Sequence, residues 1–152
     1  MSVIIRESSV ALMGPLTLYA ILKVRVDVFV LEQGSAYQEL DGRDIEPGAV
    51  IVWAEEDRQV LSTLRILIED DSRRIGRVAT AASGRGRGLG ADLIRHAIRI
   101  TNGARIILDA QEHLEGWYEN FGFLRSGESF LEDGISHIPM TRPPSAPELG
   151  EP

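Results

Sequence analysis

The sequence predicts an α/β domain built on a mixed, mainly antiparallel sheet flanked by helices. Three β-rich runs, 50–54, 60–68 and 74–80, are separated by short polar turns, which is the pattern of an antiparallel meander. The last run feeds through a glycine-rich turn into an amphipathic helix and then into a further apolar run at 105–110, so a crossover joins two strands that must lie parallel. With 152 residues, 43% hydrophobic and 26% charged, the chain has enough material for one ordinary globular core.

Residues 3–6 form a short first strand. Leu18, Leu22, Val26 and Phe29 recur at helical spacing and predict a helix over about 16–31. Val24, Val26, Val28 and Val30 pull against it, because β-branched side chains favour strands. Residues 32–49 carry no period and show turn signals at Asp41-Gly42 and Pro47-Gly48; a loop of that length in a compact domain is functional or disordered. After the three strands, Leu89, Leu93, Ile94, Ala97 and Ile98 share one face of a helix over about 87–101, which stops at Asn102-Gly103. Leu114, Trp117, Tyr118 and Phe121 fall at i, i+3, i+4 and i+7, a short helix ended by Gly122. Phe123 and Leu124 begin a strand, and 135–141 form the last one. One domain thus spans 1–142, and the proline-rich tail 143–152 is expected to be disordered.

Composition excludes several functions. There is no cysteine, so disulfides, thiolate metal sites and a cysteine nucleophile are ruled out. No apolar run approaches a membrane span and the first residues do not read as a signal peptide, which makes the cytoplasm the default location. A net charge of -7 argues against nucleic acid as a partner. Arg73, Arg74, Arg77, Arg85, Arg87, Arg95 and Arg99 nevertheless crowd the centre of the chain, while acids dominate 32–57. This asymmetry suits an anionic ligand at the centre and a cationic one beside it. A solvated mixed surface is the plainer reading of most of these charges, and Arg77 in particular reads as a solvated strand residue.

The stretch Arg85-Gly86-Arg87-Gly88-Leu89-Gly90 sits between a strand and a helix. Glycines let backbone approach a ligand closely, the free amides of a helix's first turn attract negative charge, and guanidinium groups suit phosphate oxygens. One glycine would suffice for a tight turn; three alternating with two arginines read as a diphosphate cradle. Two motifs compete for it. Gly86-Arg87-Gly88-Leu89-Gly90-Ala91 fits the dinucleotide pattern G-x-G-x-x-A, with Asp109 as the distant acid, but a doubly wound fold needs repeated βαβ units and this chain offers one crossover. A P-loop is excluded because no G-K-[ST] is present.

The other motif is Arg85-x-x-Gly88-x-Gly90, followed after the next strand by Trp117-Tyr118-Glu119-Asn120-Phe121-Gly122-Phe123. In that order and spacing the pair resembles the pyrophosphate motif and the aromatic-Tyr…Gly-Phe segment of the GNAT N-acyltransferase superfamily. The segments 26–33, 37–42, 110–114 and 132–137 are similar to its ElaA-like branch. The resemblance implies a sheet splayed between its two central parallel strands, where pantetheine enters, and transfer of an acetyl group from acetyl-CoA to an amine on a small molecule or a protein. The sequence leaves the oligomeric state open, a homodimer included. Backbone groups at Val78, Ala79 and Thr80 would hold pantetheine. Arg85, Gly86, Arg87, Gly88, Leu89 and Gly90 would bind the diphosphate, and Tyr118 would protonate the leaving thiolate. Many relatives place an Asn just past the fifth strand, where this chain has Gln111 and His113.

Periodicity alone makes Tyr118 a core aromatic; its place in the motif makes it the general acid. A general base must take a proton from the incoming ammonium. Glu32, Glu39, Asp41, Asp44, Glu46, His113, Glu132, Asp133 and His137 are candidates, and Glu39 and His113 stand beside Tyr118 as the catalytic set. His113 and His137 fit no strong metal-ligand spacing, so no metal is expected. A GNAT-like module that senses acyl-CoA without turning it over is the alternative from a different functional class.

Overall fold

The structure, a computed structural model, describes residues 2–146. Its strands are β1 (Ile4–Ser8), β2 (Val50–Glu56), β3 (Gln59–Glu69), β4 (Ser72–Thr80), β5 (Arg105–Gln111), β6 (Leu124–Arg125), β7 (Phe130–Glu132) and β8 (Ile135–Arg142). They form one sheet in the order β1-β2-β3-β4-β5-β8-β6, with β7 paired to β8 off that path. The helices are α1 (Pro15–Arg25), α2 (Leu89–Thr101) and α3 (Glu115–Glu119). The β2-β3-β4 meander is antiparallel and β4 pairs β5 in parallel, as the turn chemistry and the crossover require.

Both faces of the sheet are covered, which is why β2 is apolar from Val50 to Ala54 instead of alternating. Val52 and Ala54 join Leu93, Ile94 and Ala97 of α2 in one cluster. Ile51 and Trp53 join Ile21 and Val24 of α1, with Val28 and Phe29, in the other. Pro15 opens α1, where its fixed φ and missing N–H are harmless. The helix then widens into a π-helix, Val26–Glu32, along the valine-rich stretch that weakened the helical expectation. There the Gln33 N–H reaches back to the Val28 carbonyl at 3.1 Å. At the other end of the fold, Asn102 closes α2 in the left-handed conformation. Pro143 to Ala146 runs on from β8, and the Ser145 N–H donates to the Gly103 carbonyl at 2.9 Å. The rest of the tail expected to be disordered, 147–152, lies outside the described residues.

The feature that makes a site is the divergence of β4 from β5. They pair only through Ser72, Arg73 and Arg74 against Arg105, Ile106 and Ile107. At the start of that gap β4 also bulges: Thr63 pairs with Ala79 and Arg65 with Gly76, so Arg77 and Val78 together face Leu64. Arg77 takes a φ of 51°, left-handed backbone that costs a side-chain-bearing residue about 1–2 kcal/mol.

Arg77 is held there by contacts, and it is not the solvated strand residue its sequence context suggests. Its guanidinium lies 3.0 Å from Glu39 Oε2 and 3.3 Å from Asp41 Oδ2, and it covers the Tyr37 ring at 4.8 Å. Arg25, 1% exposed, donates to Glu39 Oε2 at 2.8 Å and to Asp44 Oδ1 at 2.6 Å. Arg65 grips both Asp41 oxygens, at 2.9 and 2.8 Å. The aperiodic loop is therefore pinned to α1 and the sheet by three carboxylates and three guanidiniums. The acidic stretch is correspondingly not a free field for a cationic ligand. Glu46 pairs with Arg43, Glu32 with Arg85, Glu55 with Arg6 and Glu56 with Arg87, so of the acids in 32–57 Asp57 alone lacks an ion-pair partner among the described residues.

Removing one member of a buried ionic group strands its partners. Arg25→Met should destabilise the fold by roughly 3–5 kcal/mol, read as a lower urea midpoint; a midpoint within error of wild type would show that the network contributes little.

Asp41 adds a pH dependence. Burial alone would raise its carboxyl, but the bonds from Arg65, the Arg43 amide and the nearby Arg77 outweigh this and hold it well below the usual carboxylate range. The unfolded chain then binds that proton more readily, so Asp41's contribution is complete above about pH 4 and drains away as pH falls toward the folded value. Asp41→Asn should lower stability at neutral pH and flatten the acid limb of a stability-against-pH curve; an unchanged slope below pH 4 would contradict the assignment.

Candidate active site

Two cavities meet at the splay. One, of about 500 Å³, lies over the start of α2 and is lined by Thr80, Arg85, Gly86, Gly88, Leu89 and Gly90 on one side and Trp117 on the other. The second, of about 600 Å³, lies between the diverging strands and reaches Phe29, Tyr37, Gln38, Gln111, Glu132 and His137. Val78, Leu114 and Tyr118 line both. A ligand with its charged end at the α2 N-terminus would therefore pass between β4 and β5 and place its other end beside Tyr118.

The glycine turn is built to receive anions. Gly88 caps α2 in the left-handed conformation with a φ of 74° and supplies no side-chain bond, so the first-turn amides keep their unmet donors. A Cβ at Gly86 or Gly88 would meet nothing within 4 Å, so the space above them is open to a ligand. Gly90 differs from them: its backbone is ordinary, and a Cβ there would make only ordinary contacts with Trp117 and Thr80.

Arg85 lines the first cavity, donating to the Thr80 carbonyl at 3.2 Å and pairing with Glu32 at 2.5 Å. Arg87, grouped with it by sequence, lines neither cavity and forms a two-pronged pair with Glu56, at 3.1 and 2.8 Å. In β4, Val78 and Thr80 face the gap. Ala79 does not, because its side chain packs toward α1 and its carbonyl accepts from Ser62 Oγ at 3.1 Å. Gln111 stands at the wide end of the gap, on the second cavity.

Tyr118 is 6% exposed, with edge-on contacts to Trp117 at 4.8 Å and Phe123 at 6.0 Å. Burial pushes its phenol up to about 12, so it stays protonated at any physiological pH and can donate. Among the described residues its hydroxyl has no protein hydrogen bond, and the residue lines both cavities. Core packing and a reactive position are thus combined in one residue.

The two other catalytic candidates are placed differently. Glu39 is 7% exposed, lines neither cavity and has its Oε2 between Arg25 and Arg77; its work is to anchor the bulge. His113 is exposed at the turn before α3 and reaches neither cavity. Trp117, Leu114 and Phe29 enter the site although periodicity assigns them to the core, and Tyr37 joins them from the aperiodic loop. Among the described residues no group of three or more His, Cys, Asp or Glu side chains is arranged to hold a metal ion, and no helix is long and apolar enough to cross a membrane.

A profile described as an acetyltransferase (GNAT) domain matches residues 19–143. The chain belongs to the GNAT acetyltransferase family. Within that family it is similar to the UPF0039 protein Rv2851c of Mycobacterium tuberculosis, 42% identical over 133 residues that cover 84% of this chain and 85% of that one. It is also similar to protein ElaA of Escherichia coli, 35% identical over 82% of this chain and 86% of the relative. An acyl-CoA N-acyltransferase from Pseudomonas aeruginosa has the same fold, with a TM-score of 0.88 and 36% identity across 93% of this chain and 99% of that one. GNAT proteins use acyl-CoA.

Gly90→Asp separates binding from folding. The new Cβ would make ordinary contacts, the nearest at 3.8 Å, and an acid in the first turn favours the helix. The melting temperature should hold while acetyl-CoA affinity falls by about tenfold or more through charge repulsion. Undiminished affinity in calorimetric titration would place the diphosphate elsewhere.

Proposed function

We propose that the chain transfers an acetyl group from acetyl-CoA to an amine by direct attack in a ternary complex. The observation that carries this reading is the junction of the two cavities at Val78, Leu114 and Tyr118. One cavity suits the cofactor, the other remains for an acceptor, and the residue between them is a neutral phenol. The Pseudomonas aeruginosa relative, described as an acyl-CoA N-acyltransferase, supports the same chemistry. A chain without cysteine has no thiol to carry the acyl group as an enzyme intermediate, which favours direct transfer.

The amine nitrogen attacks the thioester carbonyl carbon, the carbon–sulfur bond breaks, and Tyr118 gives its proton to the departing sulfur. A thiol's reference pKa of about 8.5 makes its anion a fair leaving group that a donated proton improves. Gln111 and the unpaired edge of β4 at Val78 orient the arm that carries the thioester. The acceptor is an amine of a small molecule or of a protein. Because the acids of 32–57 are already paired, its selection falls to the walls of the second cavity.

Tyr118→Phe removes the hydroxyl and keeps the ring that packs on Trp117 and Phe123. Thiol release from acetyl-CoA, measured with a panel of amines, should fall roughly 10²- to 10⁴-fold with little change in acetyl-CoA affinity. Wild-type turnover in that variant would reduce Tyr118 to a core aromatic. Acetyl-CoA binding by the wild type with no thiol release for any amine would favour the sensing module instead.

A further inference from the structure

We propose that His137 is the general base that takes the proton from the acceptor ammonium, with the exposed Glu132 beside it where that proton leaves to solvent. The inference rests on the acyltransfer reading above and adds the residue that readies the nucleophile.

The second cavity holds several groups that could in principle accept a proton. Most are already engaged. Asp41 is gripped by Arg65, Glu69 by Arg43 and Arg74, and Asp109 lies 3.3 Å from Arg74. A carboxylate facing a guanidinium is a weak base. Tyr37 lies under Arg77, and burial pushes its phenol up, so it remains protonated. The two groups left without an arginine partner are Glu132 and His137.

His137 is 9% exposed and its ring is fixed on three sides. Phe130 stacks on it at 5.9 Å. Gln111, which lines the same cavity, is its partner across β5 and β8 and so shares its face. Nδ1 lies 2.8 Å from the Ile135 carbonyl. A carbonyl can only accept, so Nδ1 carries the proton and, in the neutral ring, Nε2 carries the lone pair. Among the described residues Nε2 has no hydrogen-bond partner, and the residue lines the second cavity. Its nearest charged neighbour is Glu132 Oε2 at 3.7 Å, too long for a hydrogen bond and close enough to stabilise an imidazolium. Glu132 is itself 56% exposed, which gives the proton a way out.

Chemistry favours the imidazole over the carboxylate. A base works best when its affinity for protons suits the operating pH, which is why histidine serves in this role most often. The protons balance. The acceptor arrives as an ammonium and gives one proton to Nε2, from which it passes to water. The free amine forms the new carbon–nitrogen bond and the carbon–sulfur bond breaks. The nitrogen's second proton restores the Tyr118 phenol, which has given its own to sulfur. The sum is one amide, one thiol and one proton released.

Two measurements test this. In the first, thiol release from acetyl-CoA is followed across pH with primary amines for wild type and His137→Gln. At neutral pH the variant should be slower by about 10²- to 10³-fold with unchanged acetyl-CoA affinity. The deficit should shrink as pH rises toward the amine's own pKa, where free amine no longer needs a base. A purely structural histidine would give a deficit that does not vary with pH, and that result, or undiminished turnover, would overturn the proposal. Failure of the wild type to release thiol with any amine would instead refute the acyltransfer reading, and this inference with it. The second uses the wild-type protein, so it stands even if the variant fails to fold: long-range ¹H–¹⁵N correlation of the imidazoles should find His137 in the Nδ1–H tautomer, and an Nε2–H tautomer would overturn the assignment.

Discussion

An arginine at a φ of 51° inside a strand is unfavourable, and nothing local in the sequence compensates for it. Compensation comes from Glu39, Asp41 and Tyr37, on a loop some forty residues earlier, which grip the Arg77 side chain. Arg25 and Arg65 in turn hold those carboxylates in place. Net stability from buried ion pairs is small, because desolvation opposes attraction. Their effect is on geometry: they keep the bulge where β4 leaves β5. With the bulge in place, the strand edge at Val78 faces a gap and not a neighbouring strand. The gap joins the two cavities, and Tyr118 reaches both.

Charge and polarity follow the same division. At the α2 end, unmet amides and Arg85 offer a positive surface to phosphate. Beyond the gap, most charged walls are neutralised in pairs and the imidazole of His137 stands apart. The phenol between them is buried enough to remain neutral. On the proposed reading, binding energy is gathered at the phosphate end, while the proton transfers take place at the far end.

Much of this architecture is legible in the residues. The meander follows from turn chemistry and the parallel pair from the crossover. The cradle follows from glycines alternating with arginines, because each of those features is local. The resemblance carried by Arg85-x-x-Gly88-x-Gly90 and the later Tyr118 segment supplied the splay, and the family match agrees with it. The Arg77 bulge was hidden because its cause lies in tertiary contacts to Glu39 and Asp41, and an arginine in a strand pattern looks like an exposed one. For the same reason Glu39 looked available as a base and the acids of 32–57 looked like an open field: pairing is invisible until the arginines are placed. His113 and His137 were equals in the sequence, and only the strand pairing of β8 with β5 and β7 separates the buried ring from the exposed one. The seven-residue π-helix also had no direct signal beyond the valines that weakened the helix.

The central claim is that the gap between β4 and β5 is the path of the acyl-CoA arm. A crystal structure of the complex with coenzyme A tests it most directly. The account predicts the diphosphate on the amides of Leu89, Gly90 and Ala91, the pantetheine threaded between 75–78 and 108–111, and the sulfur beside the Tyr118 hydroxyl. Coenzyme A seated elsewhere would contradict it, for instance in the groove at the opposite end of the sheet formed by Ile66, Ile68 and Ile100.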